Sequence, residues 1–280
     1  MMLKFLFWNT KRRPLENLVA DLCRTHEIDL LLLVENTAPP ARMLLSLNKK
    51  SADYRYHHSP SEKTKLYSRL PRNSVINMRD TLDSSFRRVQ LLVGNDLLLV
   101  AVHLPSKLYM APADQSQICT RIARHVREEE LKAGHMRTIV VGDFNMNPFE
   151  DGLVSSEGFH AVMTRALAAK GARSVRQDDR PFFYNPMWNR FGESLTRGLY
   201  GHRPAGTYYY ADSKPVSLFW HVFDQVLIRP DLLNCFDDQS LHIVTSAGDT
   251  SLLKADQTPN SRAASDHLPI VFTLNNVGRD

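Results

Sequence analysis

Cysteine is scarce in this sequence, and it has no long apolar run. Three cysteines lie far apart, at positions 23, 119 and 235, without a CxxC pair. This spacing argues against a disulfide framework or a structural zinc site and favours reduced thiols. The longest apolar run, residues 28–34, contains Asp29 and is far shorter than the ~20 residues of a membrane-spanning helix. Residues 1–8 are too short an apolar stretch for a secretory signal, so we expect a cytoplasmic protein without a membrane span.

The sequence also has no strong excess of one charge and no internal repeat. Its 35 Lys and Arg against 30 Asp and Glu give a net charge of +5, which favours anionic partners only mildly. Hydrophobic residues at 43% and charged residues at 23% are ordinary for a globular protein with a sizeable core. Because no change in composition divides the chain, we predict one domain over residues 1–280.

Apolar runs alternate with helical periodicity along the chain, which predicts an α/β fold. Gly94-Asn95 suggests a tight two-residue hairpin turn between two of the strands. The aromatic, poorly periodic residues 178–220 resemble a functional loop. We predict strands at residues 3–8, 28–34, 65–71, 86–93, 96–102, 138–141, 219–228, 241–244 and 270–274, and helices at 14–28, 114–132 and 157–170.

One stretch combines a buried strand with polar chemistry. Residues 138–141 are β-branched or apolar, and Gly142, Asp143, Phe144 and Asn145 follow. Gly142 permits a turn or a close approach of the backbone to a ligand at the strand end. In an extended backbone Asp143 and Asn145 point to one side while Phe144 points to the core. A carboxylate and an amide at a strand end suit the binding or deprotonation of a group beside a phosphate or a metal.

Other predicted strands also end in polar residues. Parallel strands over residues 3–8 and 28–34 would bring Asn9 and Glu35 to the same edge of a sheet. Asp224 within an apolar run requires a partner, because an unpaired buried carboxylate is costly. Together these residues suggest an oxygen-ligand site for a hard divalent cation and a phosphate. The set is Asn9, Glu35, His103, Asp143, Asn145, Asp224, Asp266 and His267.

The order of these motifs resembles the endonuclease/exonuclease/phosphatase family, which includes the deoxyribonuclease-I-like and exonuclease-III-like enzymes. The resemblance extends from residue 3 to about residue 274. It implies a four-layered α/β sandwich of two mixed β-sheets flanked by helices, with the active site at the strand ends. The motifs are Trp8-Asn9, Glu35, residues 67–71, residues 102–105, residues 142–145, residues 223–227 and residues 265–267.

The resemblance also implies roles for individual residues. Glu35 would be the principal Mg²⁺ ligand, with Mn²⁺ as a substitute, and Asn9 and Asp266 would lie on the metal side. Asp143 would orient or deprotonate the attacking water, and Asn145 and His103 would contact phosphate oxygens. His267 would face the scissile phosphate, with Asp224 fixing its tautomer. The residues expected to contact the substrate are Arg69, Lys107, Trp188 and Tyr208.

The sequence does not identify which phosphoester is the substrate. The family's nucleases, lipid phosphodiesterases, inositol-phosphate phosphatases and nucleotide hydrolases share these catalytic residues. Residues 49–72 contain seven Lys or Arg and three Tyr, which suits either a surface that binds a nucleic-acid backbone or a solvated edge of the sheet. We favour a nuclease acting on DNA or RNA. A catalytically silent binding module is less consistent with the sequence, since every catalytic position is filled.

Overall fold

Two mixed β-sheets form the centre of the molecule in this computed structural model, which describes residues 1–50, 52–61, 63–94, 96–193, 203–211, 213 and 215–278. The helices are α1 (Glu16–Thr25), α2 (Pro40–Leu47), α3 (Pro112–Ala133), α4 (Asp151–Val154) and α5 (Arg165–Ala168). The strands are β1 (Leu3–Asn9), β2 (Leu30–Val34), β3 (Arg55–His57), β4 (Thr64–Ser68), β5 (Val75–Asp80), β6 (Ser84–Val89), β7 (Leu97–His103), β8 (Thr138–Asp143), β9 (Ala161–Val162), β10 (Ala172–Val175), β11 (Asp178–Pro181), β12 (Phe183–Tyr184), β13 (Tyr208–Tyr209), β14 (Trp220–His221), β15 (Asp224–Ile228), β16 (His242–Ile243), β17 (Ser246–Ala247), β18 (Thr250–Ser251) and β19 (Ile270–Leu274).

The first large sheet has six strands in the order β16-β19-β1-β2-β4-β3. Strands β1 and β2 are parallel, and Asn9 is in register with Val34, the residue before Glu35. Helix α1 connects these two strands, as in a βαβ unit. Strand β19 pairs antiparallel with β1, so the segment that precedes Ile270 lies at the edge where Asn9 ends. The predicted β1–β2 arrangement is therefore confirmed.

The second large sheet has seven strands in the order β5-β6-β7-β8-β15-β12-β9. Strands β7 and β8 are parallel, with His103 opposite Asp143. Strand β15 runs antiparallel to β8, with Asp224 also opposite Asp143. Three of the candidate residues thus lie side by side at one end of this sheet.

The molecule has four layers because each sheet contacts the other on one face and helices on the other. Along β8, Ile139 and Val141 belong to the core between the sheets. Val140 and Phe144 belong to a second core, against Ile122 of α3. The alternation follows from the two-residue period of a strand whose faces are both covered. The predicted α/β sandwich is confirmed.

A buried ion pair joins α3 to the seven-stranded sheet. The Arg229 guanidinium donates from Nε to Glu130 Oε1 at 2.8 Å and from Nη2 to Glu130 Oε2 at 3.0 Å. It also lies 3.8 Å from the centre of the Phe183 ring. Both charged side chains are buried. The two-point geometry and the ring contact offset part of the cost of removing both charges from water.

Three local predictions differ from the structure. Residues 157–170 form β9 and the short helix α5 in place of one helix, because Ala161 pairs with Phe183 at the sheet edge. Strands β6 and β7 pair as predicted, but Val89 is opposite Leu97, so their connection is longer than two residues. Residue 95 of that connection lies outside the described residues. Helix α1 begins at Glu16 and not at Pro14.

The irregular segment 178–220 is partly built into the fold. Strand β12 joins the seven-stranded sheet beside β15 and β9, and β13 pairs with β14. Residues 194–202, 212 and 214 of this segment lie outside the described residues. Across the part of the chain that is described, no helix is long and apolar enough to cross a membrane.

Candidate active site

The predicted catalytic residues meet at one edge of the sandwich, where both sheets end. Asn9 links the two sheets: its Nδ2 donates to Asp143 Oδ2 at 2.9 Å and lies 3.4 Å from Glu35 Oε1. Asn9 Oδ1 accepts the Lys11 backbone N–H at 2.9 Å, which fixes the orientation of the amide. One amide therefore holds two carboxylates from different sheets close together.

His267 and Asp224 form a buried pair beside Asp143. His267 Nδ1 is 2.8 Å from Asp224 Oδ2, and its Nε2 is 3.9 Å from Asp143 Oδ2. Burial alone would lower the pKa of His267, but the charges of Asp224 and Asp143 outweigh it and raise the pKa to about 10. An imidazole held in this way presents a charged Nε2–H toward the position of Asp143.

Glu35 is held ionised at the open side of the same cluster. His103 Nε2 is 3.4 Å from Glu35 Oε1. Its hydrogen bond outweighs burial and lowers the pKa of Glu35 to about 2. The other ring nitrogen, His103 Nδ1, is buried and has no hydrogen-bond partner among the residues that the structure describes. Glu35 has a φ of 46°, a strained conformation for a non-glycine residue that is typical of functional positions.

The remaining predicted residues of the cluster lie around this centre. Asn145 has a φ of 49°; its backbone N–H donates to Asp143 Oδ1 at 2.9 Å and its Nδ2 to the Leu104 carbonyl at 2.9 Å. One N–H of this amide therefore remains available for a ligand. Asp266 Oδ2 is 2.6 Å from Lys11 Nζ, on the other side of Asn9 from Glu35.

A buried network that sequence reasoning missed holds His267 in place. The Trp8 indole N–H donates to the His267 carbonyl at 2.8 Å. Ser265 Oγ donates to the Asn9 carbonyl at 2.7 Å and accepts the His267 backbone N–H at 3.1 Å. Thr207 Oγ1 accepts the backbone N–H of Asp224 at 3.1 Å. Trp8 and Ser265 belong to motifs named from the sequence, but no role was predicted for them, and no sequence motif included Thr207.

Two of the four predicted substrate contacts lie at the site. The centre of the Tyr208 ring is 4.6 Å from the centre of the His267 ring and 5.2 Å from the centre of the Phe223 ring. Lys107 pairs with Glu150 and lies 5.6 Å from the centre of the Phe223 ring. Tyr208 is therefore next to His267, and Lys107 lies beside the aromatic residue that Tyr208 contacts.

The other two predicted contacts are placed differently. Arg69 lies at the opposite end of the sheet: its guanidinium donates to the Glu27 carbonyl at 2.7 Å and to Asp29 Oδ1 at 3.0 Å, before β2 begins. The placement corrects the expectation that Arg69 contacts substrate. Trp188 packs 6.3 Å from Phe149, in an aromatic group outside the catalytic cluster.

The basic segment 49–72 also differs from a uniform binding surface. Tyr67 is fully buried, and Tyr54 is buried with its hydroxyl donating to the Ile28 carbonyl at 2.5 Å. Lys63 pairs with Asp83 at 3.3 Å. Two of the three tyrosines therefore stabilise the core, and the interpretation as a sheet edge applies to most of the segment.

The donor set fits a hard divalent cation. Glu35 is an ionised carboxylate, and the Asn9 amide places Asp143 beside it. Oxygen ligands of this kind suit Mg²⁺. Asp143, Asp224 and His267 also have potential ligand atoms within 4.8 Å of one another. His267 Nδ1 is already bonded to Asp224, however, and Asn9 turns its Nδ2 toward the two carboxylates, so we favour Glu35 as the metal ligand, with Asn9 beside it.

Comparisons with known proteins agree with this architecture. The structure is similar to an endonuclease/exonuclease/phosphatase family protein from Leptotrichia buccalis, with a TM-score of 0.56, 11% identity and coverage of 98% of this chain and 99% of the other. Truncated TDP2 of Caenorhabditis elegans gives a TM-score of 0.54, 14% identity and coverage of 98% of both chains. An endonuclease/exonuclease/phosphatase family protein from Bacteroides thetaiotaomicron gives a TM-score of 0.53 and 13% identity, with coverage of 98% of this chain and 97% of the other.

Sequence comparison gives the family directly. No curated protein matches this sequence. The sequence pattern of the Endonuclease/Exonuclease/phosphatase family matches residues 6–267, which include every residue of the catalytic cluster. The chain therefore belongs to the Endonuclease/Exonuclease/phosphatase family.

Proposed function

We propose that this protein is a Mg²⁺-dependent phosphodiester hydrolase that cleaves DNA or RNA. Its family includes nucleases, phosphodiesterases and phosphatases, which hydrolyse phosphoesters. One observation carries the proposal: the Asp224–His267 pair faces Asp143, and Asn9 connects Asp143 to Glu35. A base, a charged donor and a carboxylate suited to a metal thus share one site, as in-line hydrolysis of a phosphoester requires.

The side chains divide the chemistry among them. Asp143, with Oδ1 fixed by the Asn145 N–H, orients a water and accepts its proton. His267 donates from Nε2 to a phosphate oxygen while Asp224 stabilises its charge. The free amide N–H of Asn145 binds a second phosphate oxygen. As the water oxygen bonds to phosphorus, the P–O bond to the leaving oxygen breaks, and that oxygen takes up a proton from solvent. Glu35, with Asn9 beside it, would hold the divalent cation, which would supply positive charge to the phosphate.

Basic residues at the site entrance support a polyanionic substrate. Lys11, Arg12 and Arg13 follow Asn9 and Thr10 in the sequence. Lys11 and Arg12 are exposed, and each has one carboxylate neighbour, Asp266 and Glu35 respectively. Lys107 lies beside Phe223, whose ring packs against Tyr208. Basic side chains near a phosphate site favour binding of a nucleic-acid backbone, which should weaken as salt concentration rises.

The test is hydrolysis of a phosphoester panel with Mg²⁺ or Mn²⁺. The panel contains single- and double-stranded DNA, RNA, a nucleotide ester, a phospholipid and an inositol phosphate. We expect cleavage of nucleic acid by the wild type and a loss of at least ~10²-fold in kcat for Asp143→Ala and His267→Ala. Asp249→Ala, which changes an exposed carboxylate next to β17, is the control.

Metal binding is measured separately from turnover. Mg²⁺ should raise the melting temperature of the wild type and not that of Glu35→Gln, since a ligand stabilises only the form that binds it. Turnover of nucleic acid by either alanine variant at the wild-type rate would contradict the catalytic assignment. Cleavage of another phosphoester in place of nucleic acid would contradict the proposed substrate.

A further inference from the structure

A large groove opens directly beside the catalytic cluster. Its volume is about 1080 Å³, and its lining includes Glu35 and His103. From there it extends past Pro40, the β3–β4 connection and the turn between β5 and β6. We call this cavity the lateral groove. Its size is comparable with the ~300–1,000 Å³ of pockets that hold small organic molecules.

Away from Glu35, the lining of the lateral groove combines apolar and aromatic surface with polar side chains. Pro40, Pro60 and Leu82 contribute aliphatic surface, and the rings of Tyr56 and His58 lie 6.4 Å apart on its wall. Leu82 is 70% exposed at the tip of the β5–β6 turn. Exposed apolar surface beside a catalytic centre indicates that part of the ligand is itself apolar.

The charges of the lateral groove do not favour a second phosphate. Lys63 pairs with Asp83 at 3.3 Å, Lys65 Nζ donates to the Ala38 carbonyl at 2.6 Å, and Arg12 lies 3.8 Å from Glu35. The carboxylates of Glu35 and Asp80 also line the groove. Asp80 accepts hydrogen bonds from Ser59 and Ser85, which hold it in place. A neutral, flat group fits these walls better than an anion.

We propose that the lateral groove binds an unpaired nucleobase next to the scissile phosphate, so that the substrate is single-stranded nucleic acid. This inference rests on the proposed nuclease function and specifies its substrate. A base in a duplex is stacked and paired, and it can enter a side cavity only after both contacts are broken. A base in a single strand enters without that cost and stacks on aromatic side chains.

The first test compares one oligonucleotide alone and in a duplex. We expect kcat/KM for the single strand to exceed that for the duplex by about tenfold or more. Leu82→Asp should raise KM for the single strand about tenfold with kcat little changed, because it adds charge to the groove without touching the catalytic residues. Leu92→Asp is the matched control. Leu92 is 81% exposed in the connection that precedes β7, whereas His103 is at the other end of that strand.

The second test measures binding without turnover. Fluorescence anisotropy in EDTA gives the Kd of oligonucleotides in which single bases are replaced by abasic sites. At one position we expect the abasic site to raise the Kd of the wild type about tenfold and that of Leu82→Asp much less. Such non-additivity would locate the base in the groove.

The outcomes separate this inference from the function on which it rests. Equal cleavage of duplex and single strand, or the same abasic penalty in wild type and Leu82→Asp, would overturn the base-binding groove and leave a nuclease. Failure to cleave or bind any nucleic acid, with hydrolysis of another phosphoester, would overturn the proposed function itself.

Discussion

At the scale of single residues, Thr207 connects the two members of the Asp224–His267 pair. It is fully buried, and its Oγ1 accepts the backbone N–H groups of Phe223 at 3.2 Å and Asp224 at 3.1 Å. Burial raises the pKa of Asp224, and the charge of His267 counteracts that rise. Its carbonyl accepts the Leu268 N–H at 2.7 Å, next to His267. Thr207 is therefore a positioning residue.

Thr207→Val should lower kcat about tenfold while KM changes less than twofold, because the imidazole loses its fixed orientation but the substrate contacts remain. It should also lower the free energy of unfolding by ~1–3 kcal/mol, since two buried N–H groups lose their acceptor. Steady-state kinetics and urea unfolding measure the two effects.

Thr207→Ser is the control, since it retains the hydroxyl and should recover most of kcat. A wild-type kcat in Thr207→Val, or a serine variant as slow as the valine variant, would contradict the positioning role.

The sequence identified residues whose chemistry is visible without a structure. Asn9, Glu35, Asp143 and His267 stand at strand ends or in motifs, and the structure brings them together. Thr207 could not be found in this way, because a buried threonine before a short strand has no distinguishing pattern. The prediction for Arg69 was wrong because the sequence did not show that β4 runs antiparallel to β2. Arg69 therefore lies beside Asp29, at the edge of the sheet away from the active site.

At the scale of secondary-structure elements, Gly142 sets how closely β7 and β8 approach at the active site. A Cβ atom on Gly142 would lie 1.9 Å from the Val102 carbonyl oxygen and 2.7 Å from the carbonyl carbon. Val102 is in register with Gly142, and the next pair in register is His103 and Asp143. The sequence suggested a turn or a close approach to a ligand here, whereas the group close to Gly142 is the backbone of the adjacent strand.

Gly142→Ala should lower the free energy of unfolding by at least ~1–3 kcal/mol and reduce phosphoester hydrolysis, because β7 must move and carries His103 with it. Urea denaturation and the hydrolysis assay measure both. Adding Val102→Ala should not restore either property: it removes the contact with Val102 Cγ2 at 2.7 Å, but the closest contact, at 1.9 Å, is with the backbone carbonyl oxygen. Full recovery in the double variant would show that the side chain causes the conflict.

Secondary-structure elements were predicted correctly where the hydrophobic periodicity extended over many residues. The predictions were wrong where pairing with a distant strand determined the local structure. Helix α3 extends over Pro112–Ala133 with Ile118, Ile122 and Val126 buried, close to the prediction. Residues 157–170 have helix-forming composition, but Phe183 offers a sheet edge to Ala161, and that pairing prevails. The position of β12, which pairs with β15 on the side away from β8, could not be predicted from the local sequence.

At the scale of the whole molecule, the two hydrophobic cores enclose all three cysteines. Cys23 lies in the core that the two sheets share with α1, and Cys119 in the core between α3 and the seven-stranded sheet. Cys235 lies in the first core, near the C-terminal strand, with Sγ 3.9 Å from the Asn276 carbonyl. Each thiol is therefore a probe of a different part of the folded chain.

The thiols should resist alkylation as long as the sandwich is intact. Burial raises the pKa of Cys23 to about 12 and raises the pKa values of Cys119 and Cys235, so little thiolate forms at neutral pH and reagents cannot reach it. With iodoacetamide at pH 7.5, mass spectrometry should show negligible modification of the native protein and three modified cysteines in denaturant. Cys235 should react first under mild denaturation, because local opening near the C-terminus exposes it without separating the sheets. Rapid modification of Cys23 or Cys119 in the native protein would contradict the closed four-layer packing on which the geometry of the active site depends.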